Sequence, residues 1–171
     1  LYITSNSTIH ITNSTFSSNS VPDDRIGGAI FNYGTLTIKQ STFSGNSAGQ
    51  GGAIWNSGTL EVINSTFSSN SAKINGGAIM NNGTAFITHS TFSENSAAEG
   101  AGLYLAAGKE LELTNTIVAN AITGSDCYDD GGTFDINNNN LIEDNNCTPD
   151  YSGDPSLGPL ADNGGHTLTH A

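Results

Sequence analysis

The heptapeptide STFS-x-NS occurs four times in this chain, at residues 14–20, 41–47, 65–71 and 90–96. Its phenylalanines, Phe16, Phe43, Phe67 and Phe92, recur at near-equal intervals. A second motif keeps the same beat, with GGAI at 27–30, 51–54 and 76–79 and GAGL at 100–103. A period of about 25 residues, held this tightly, means one small unit stacked on itself, and it fixes the fold class before any local propensity is weighed. An eroded fifth copy at 115–121 places Ile117 one further period beyond Phe92.

Each copy divides into three short runs in which apolar and polar residues alternate, the period of a β-strand. The first run holds Ile30, Ile54, Ile79 and Leu103. The second holds Leu36/Ile38, Leu60/Val62, Phe86 with Ile87, and Leu111/Leu113. The third is the Thr-Phe run. Asn-x-Gly triplets at 32–34, 56–58 and 81–83 separate the first two runs. Asn and Gly tolerate positive φ, so the chain is expected to bend there. Ile3, Ile9 and Ile11 sit at the spacing of Ile30, Leu36 and Ile38, so the chain is expected to open inside a coil.

Three strands per coil, each pairing with its copy one turn on, make an all-β parallel β-helix. About five coils are expected over residues 1–120, stacked ~4.8 Å apart. Residues 121–171 lose the period and read as an irregular flap of the same domain. Phe16, Phe43, Phe67, Phe92 and Ile117 should form a buried column. Asn19, Asn46, Asn70, Asn95 and Asn120 should form another, with amides bonding up and down it.

GGAI followed by F-x-x-N (Phe16 to Asn19, Phe43 to Asn46, Phe67 to Asn70, Phe92 to Asn95) resembles the repeat pair of the polymorphic outer-membrane protein family of bacterial surface adhesins. The same residues resemble the broader right-handed parallel β-helix repeat. The stretch GDPSLGPLADNGGHTLTHA, with Cys127 and Cys147 before it, resembles the C-terminal region of secreted bacterial β-helix proteins of the choice-of-anchor Q kind. These resemblances imply a secreted, envelope- or wall-attached parent with an extracellular location. They carry no catalytic residue, because one fold hosts many functions.

The formal charge is −12. Residues 121–171 carry nine acids and no Lys or Arg, against seven acids and four bases before them. Nucleic acid is excluded as an expected partner, because phosphate binding needs a basic stripe. No apolar run approaches the ~20 residues of a membrane span. The chain begins with Leu rather than Met, which reads as an internal or processed start.

Cys127 and Cys147 are the only cysteines. They are too few for a structural zinc site, and the four histidines, His10, His89, His166 and His170, are scattered. A disulfide pinning the flap is expected over two unrelated thiols, and it points to an oxidising compartment. Asp126, Asp129 and Asp130 lie beside Cys127, with Glu143, Asp144 and Asp150 across the bridge. Such oxygen-rich loops suit calcium, although the spacing matches no EF-hand. No other cofactor is implied.

On the second strand, Glu61 and Glu112 should share a column with Thr37 and Ala85, too far apart to cooperate as catalytic carboxylates. The expected function is therefore non-catalytic: a surface spacer, adhesin segment or filament subunit. A filament would self-associate through open coil ends, and a longer chain would instead continue from them. A surface adhesin would take a glycan or a cell-surface receptor as partner. The rival class is a carbohydrate-active enzyme or carbohydrate-binding module. Its candidate platform is Tyr33 and Trp55, with Phe31 and Met80 at positions equivalent to Trp55.

Overall fold

The computed structural model describes the backbone of residues 1–171 and the side chains of all but residues 135–138. The first coil is β1 (Tyr2–Ile3), β2 (Thr8–Thr12) and β3 (Thr15–Ser17). The second is β4 (Ile30–Asn32), β5 (Thr35–Lys39) and β6 (Thr42–Ser44), followed by the short β7 (Ser47–Ala48). The third is β8 (Ile54–Asn56), β9 (Thr59–Ile63) and β10 (Thr66–Ser68), followed by β11 (Ser71–Ala72). The fourth is β12 (Ile79–Asn81), β13 (Thr84–Thr88) and β14 (Thr91–Ser93). The fifth is β15 (Leu103–Leu105), β16 (Glu110–Thr114) and β17 (Ile117–Ala119). The last is β18 (Cys127–Asp129), β19 (Thr133–Asn138) and β20 (Leu141–Ile142).

Equivalent strands pair in parallel, giving three six-stranded sheets and a two-stranded ladder of β7 and β11. From β1 to β18 the chain makes about five turns of a β-helix, three strands per coil. The sheets run on through Ile142, so the coil region extends past residue 120 and only the later residues are irregular. Strand alternation sends one set of side chains inward. Leu36, Ile38, Leu60, Val62, Ala85, Ile87, Leu111 and Leu113 are all buried in a single core. Phe86 therefore points outward and Ala85 inward, the reverse of the expected pairing.

Phe43, Phe67 and Phe92 are fully buried, while Phe16 in the end coil is half-buried. Neighbouring rings lie near-parallel with centroids 4.7 to 4.9 Å apart, the rung spacing itself. Burying each ring is worth roughly 1.5–3 kcal/mol. The fifth coil shifts the register. Phe92 pairs with Val118, and Ile117 pairs with Thr91 on the outward column. Val118 thus replaces Ile117 in the core. The cause is a longer turn after Leu105. Asn81 pairs with Leu105 and Thr84 with Glu110, so the stretch from Leu105 to Glu110 spans what Asn81 to Thr84 covers in the coil before. The first coil has the same feature: Ile3 lies beneath Asn32 rather than beneath Ile30, and Thr8 beneath Thr35.

Both exceptions have one physical reason. In the regular turns Asn32, Asn56 and Asn81 face inward, and each Oδ1 accepts the N–H of the glycine two positions on. Asn32 Nδ2 donates to Asn56 Oδ1, and Asn56 Nδ2 to Asn81 Oδ1. Where Ile3 or Leu105 takes this place no amide can tie the short turn, and a longer stretch carries the chain round. These asparagines do not use positive φ, contrary to expectation. The glycine is needed for close approach instead: a Cβ on Gly58 would lie 2.1 Å from the Gly34 carbonyl oxygen.

Candidate functional site

Two further polar columns hold the other corners. Asn46 N–H and Nδ2 both donate to Asn70 Oδ1, at 3.0 and 2.9 Å, and Asn70 repeats this onto Asn95. Each amide also donates to a Phe carbonyl of the preceding coil. Asn19 belongs to the same ladder, donating to Asn46. Asn120 does not: it stands one position early, with φ 58°, in the column of Ser18, Gly45, Ser69 and Glu94. The second column, Ser14, Ser41, Ser65, Ser90 and Thr116, lies outside the expected ones. Each backbone N–H donates to the hydroxyl of the next coil, and Thr116 donates to Asn140 Oδ1. Serine is too common in this chain for its column to stand out. The clue is its fixed place two residues before Phe16, Phe43, Phe67, Phe92 and Val118.

Cys127 and Cys147 form the disulfide. Cys127 sits in the inward column above Leu103, so the bridge lies at the C-terminal end of the core. Tyr151 bonds the free edge of β20, donating to Asn140 O and accepting from Ile142 N–H. Cys147, partly buried, packs against that end of the core. Residues 152–171 run back along the outer face of the third sheet. Thr42 Oγ1 donates to Leu168 O, Thr167 Oγ1 to Gln40 O, and His170 Nε2 meets Ser68 Oγ at 3.0 Å. Thr42, Thr66 and Ser68 face outward from that sheet, yet all three are buried.

The acids considered for calcium divide. Asp126 is only 3% exposed. Its Oδ1 accepts the Ala121 N–H and its Oδ2 the Asp144 N–H, while its own N–H donates to Asp144 Oδ2. Glu143 Oε2 accepts the Asn120 N–H. Burial, reinforced by the Asp144 charge, pushes the Asp126 carboxyl up to about 6. A cavity of about 390 Å³ lies over Asp126, Glu143 and Asp144. Asp129 lines a separate cavity of about 540 Å³ with Glu99, Tyr128, Phe134 and the disulfide, and it caps the Gly131 and Gly132 N–H groups. Asp130 faces Tyr104, whose hydroxyl is pushed up to about 12 by burial and by that carboxylate. Asp150 accepts from the Asn139 N–H. Among the described residues no three His, Cys, Asp or Glu side chains converge as metal ligands.

Tyr33 and Trp55 do meet, edge to face, with centroids 5.8 Å apart. They belong to a larger cluster. Tyr2, Phe31 and Trp55 occupy one outward column, stacked at 5.2 and 4.7 Å. Met80, Tyr104 and Tyr128 continue it. Tyr104 was legible as the residue after Leu103, just as Trp55 follows Ile54. Because the rings stack along the rod axis, Phe31 covers one face of Trp55 and the Met80 position lies over the other. Trp55 is thus one member of a stack of rings. On the second sheet Glu61 and Glu112 do share a column, with Phe86 between them.

No curated protein and no solved structure matches the chain. The model of the right-handed β-helix region family matches residues 1–161, nearly the whole length. Coil pairing and this match agree: the chain belongs to the right-handed β-helix family.

Proposed function

We propose that the chain is a non-catalytic module of an extracellular bacterial protein, a stiff rod that presents contact surface. The observation carrying this is the use made of its polar side chains. Asparagines and serines at the corners spend their hydrogen bonds on the neighbouring coil, and the buried acid Asp126 does likewise. That builds rigidity rather than a reacting centre. The disulfide supports an oxidising, extracellular setting. The GGAI/F-x-x-N pair and the DPSLGPL tail support a cell-surface parent of the adhesin or choice-of-anchor kind. At the N-terminal end β1, β2 and β3 have free edges, where a further coil from the same polypeptide or a neighbour would add.

The rival reading, a carbohydrate-binding or carbohydrate-active module, draws on the ring cluster of Tyr2, Phe31, Tyr33 and Trp55. A glycan panel with turnover assays, run on the protein and on Trp55→Ala, separates the two. The rod reading expects no Trp55-dependent glycan binding and no turnover. Selective, Trp55-dependent binding or cleavage establishes the rival.

A further inference from the structure

Phe86 stands outward on β13 and is 42% exposed. In the same column are His10, Thr37, Glu61 and Glu112 on neighbouring strands, so this ring stands among polar side chains with nearly half of its surface in water. Glu61 lies one rung to one side and Glu112 one rung to the other, each ~4.8 Å away along the rod. Glu110 is two positions from Glu112 on the same strand. The ring forms a ridge between two shallow hollows, of about 270 and about 170 Å³. Glu112 walls both, with Glu61 in the first and Glu110 in the second. The two ion pairs among the described residues join Arg25 to Asp24 and Lys73 to Asp23, so none of these glutamates is in one.

We propose that this face of the second sheet docks a basic segment of another polypeptide, a Lys or Arg side chain lying over Phe86 between Glu61 and Glu112. Solvated glutamates alone need no partner. An exposed aromatic ring flanked by carboxylates on both sides matches a cation with an apolar stem: the ring attracts the charge, the stem covers the ring, and the carboxylates pair with it. Shallow hollows suit side chains of a chain laid across the sheet better than an enclosed small molecule. A second copy offers no basic segment, because its four bases, Arg25, Lys39, Lys73 and Lys109, are scattered along the sequence and its net charge of −12 repels another copy. This deepens the contact-rod reading, and its failure would leave that reading standing.

The test is fluorescence anisotropy of labelled octalysine and octaarginine with the whole protein at physiological ionic strength. Binding is expected, weakened about tenfold by Phe86→Ser and by the pair Glu61→Gln/Glu112→Gln. The pair Asp24→Asn/Glu94→Gln removes two charges elsewhere and should change nothing. Urea midpoints equal to that of the unaltered protein show that each variant folds. Absence of binding, equal binding by all variants (diffuse acidity only), or Phe86-dependent binding of spermine without the peptides overturns the proposal.

Discussion

Asp126 Oδ1 accepts the Ala121 N–H at 3.0 Å, doing for the fifth coil what Asn95 does for Asn70 in the third. The asparagine ladder ends at Asn95 because the register shift puts Ala121 in its place, and a buried carboxylate takes over the acceptor role. The folded protein raises this carboxyl from 3.8 to about 6. A raised acid favours its protonated form in the fold, so the stability it contributes is present below about pH 4 and lost as pH rises through 6. Urea unfolding should therefore show stability falling from pH 4 to pH 7, by at most about 3 kcal/mol from this group. Asp126→Asn should flatten that part of the profile.

The asparagine ladder predicts an asymmetry. Asn70 is fully buried and bonds both neighbouring coils, so Asn70→Ala strands several backbone and amide groups. A loss of about 2–4 kcal/mol is expected in chemical denaturation. Asn120→Ala, outside the ladder, should lose about 1 kcal/mol or less.

The phenylalanine column predicts a gradient. Phe67→Ala should cost about 3–5 kcal/mol and the half-buried Phe16→Ala clearly less. Val118→Ala should cost more than Ile117→Ala, because only Val118 is in the core. Urea midpoints of the four variants decide it.

Reducing the Cys127–Cys147 bridge should loosen residues 143–151 from the C-terminal end of the core. The closed loop separates the cysteines by 20 residues, which corresponds to about 3 kcal/mol. Hydrogen exchange should rise at Leu141, Ile142 and Tyr151 while Phe43 and Phe67 in the middle coils stay protected.

Much of this was legible beforehand because a solenoid writes its core into one column per strand. GGAI and STFS-x-NS fixed the pairing of Ile54 with Ile79 and of Phe43 with Phe67. The sequence misled where spacing alone had to decide. Ile117 and Asn120 kept the regular step, but the longer turn after Leu105 moved the true register by one. Cys127 hid the last coil, since a cysteine in the Ile column does not read as a repeat. The path of the tail was invisible, because the bond from Thr42 to Leu168 joins distant parts of the chain with no local signal.

The most direct measurement is a nuclear Overhauser spectrum of protein labelled at Phe, Val and Ile. The stacked coils predict ring-to-ring contacts from Phe43 to Phe67 and from Phe67 to Phe92, and contacts from the Phe92 ring to the Val118 methyls but not to those of Ile117. Rings with no contacts among themselves, or a Phe92 ring that meets Ile117 in place of Val118, would contradict the account.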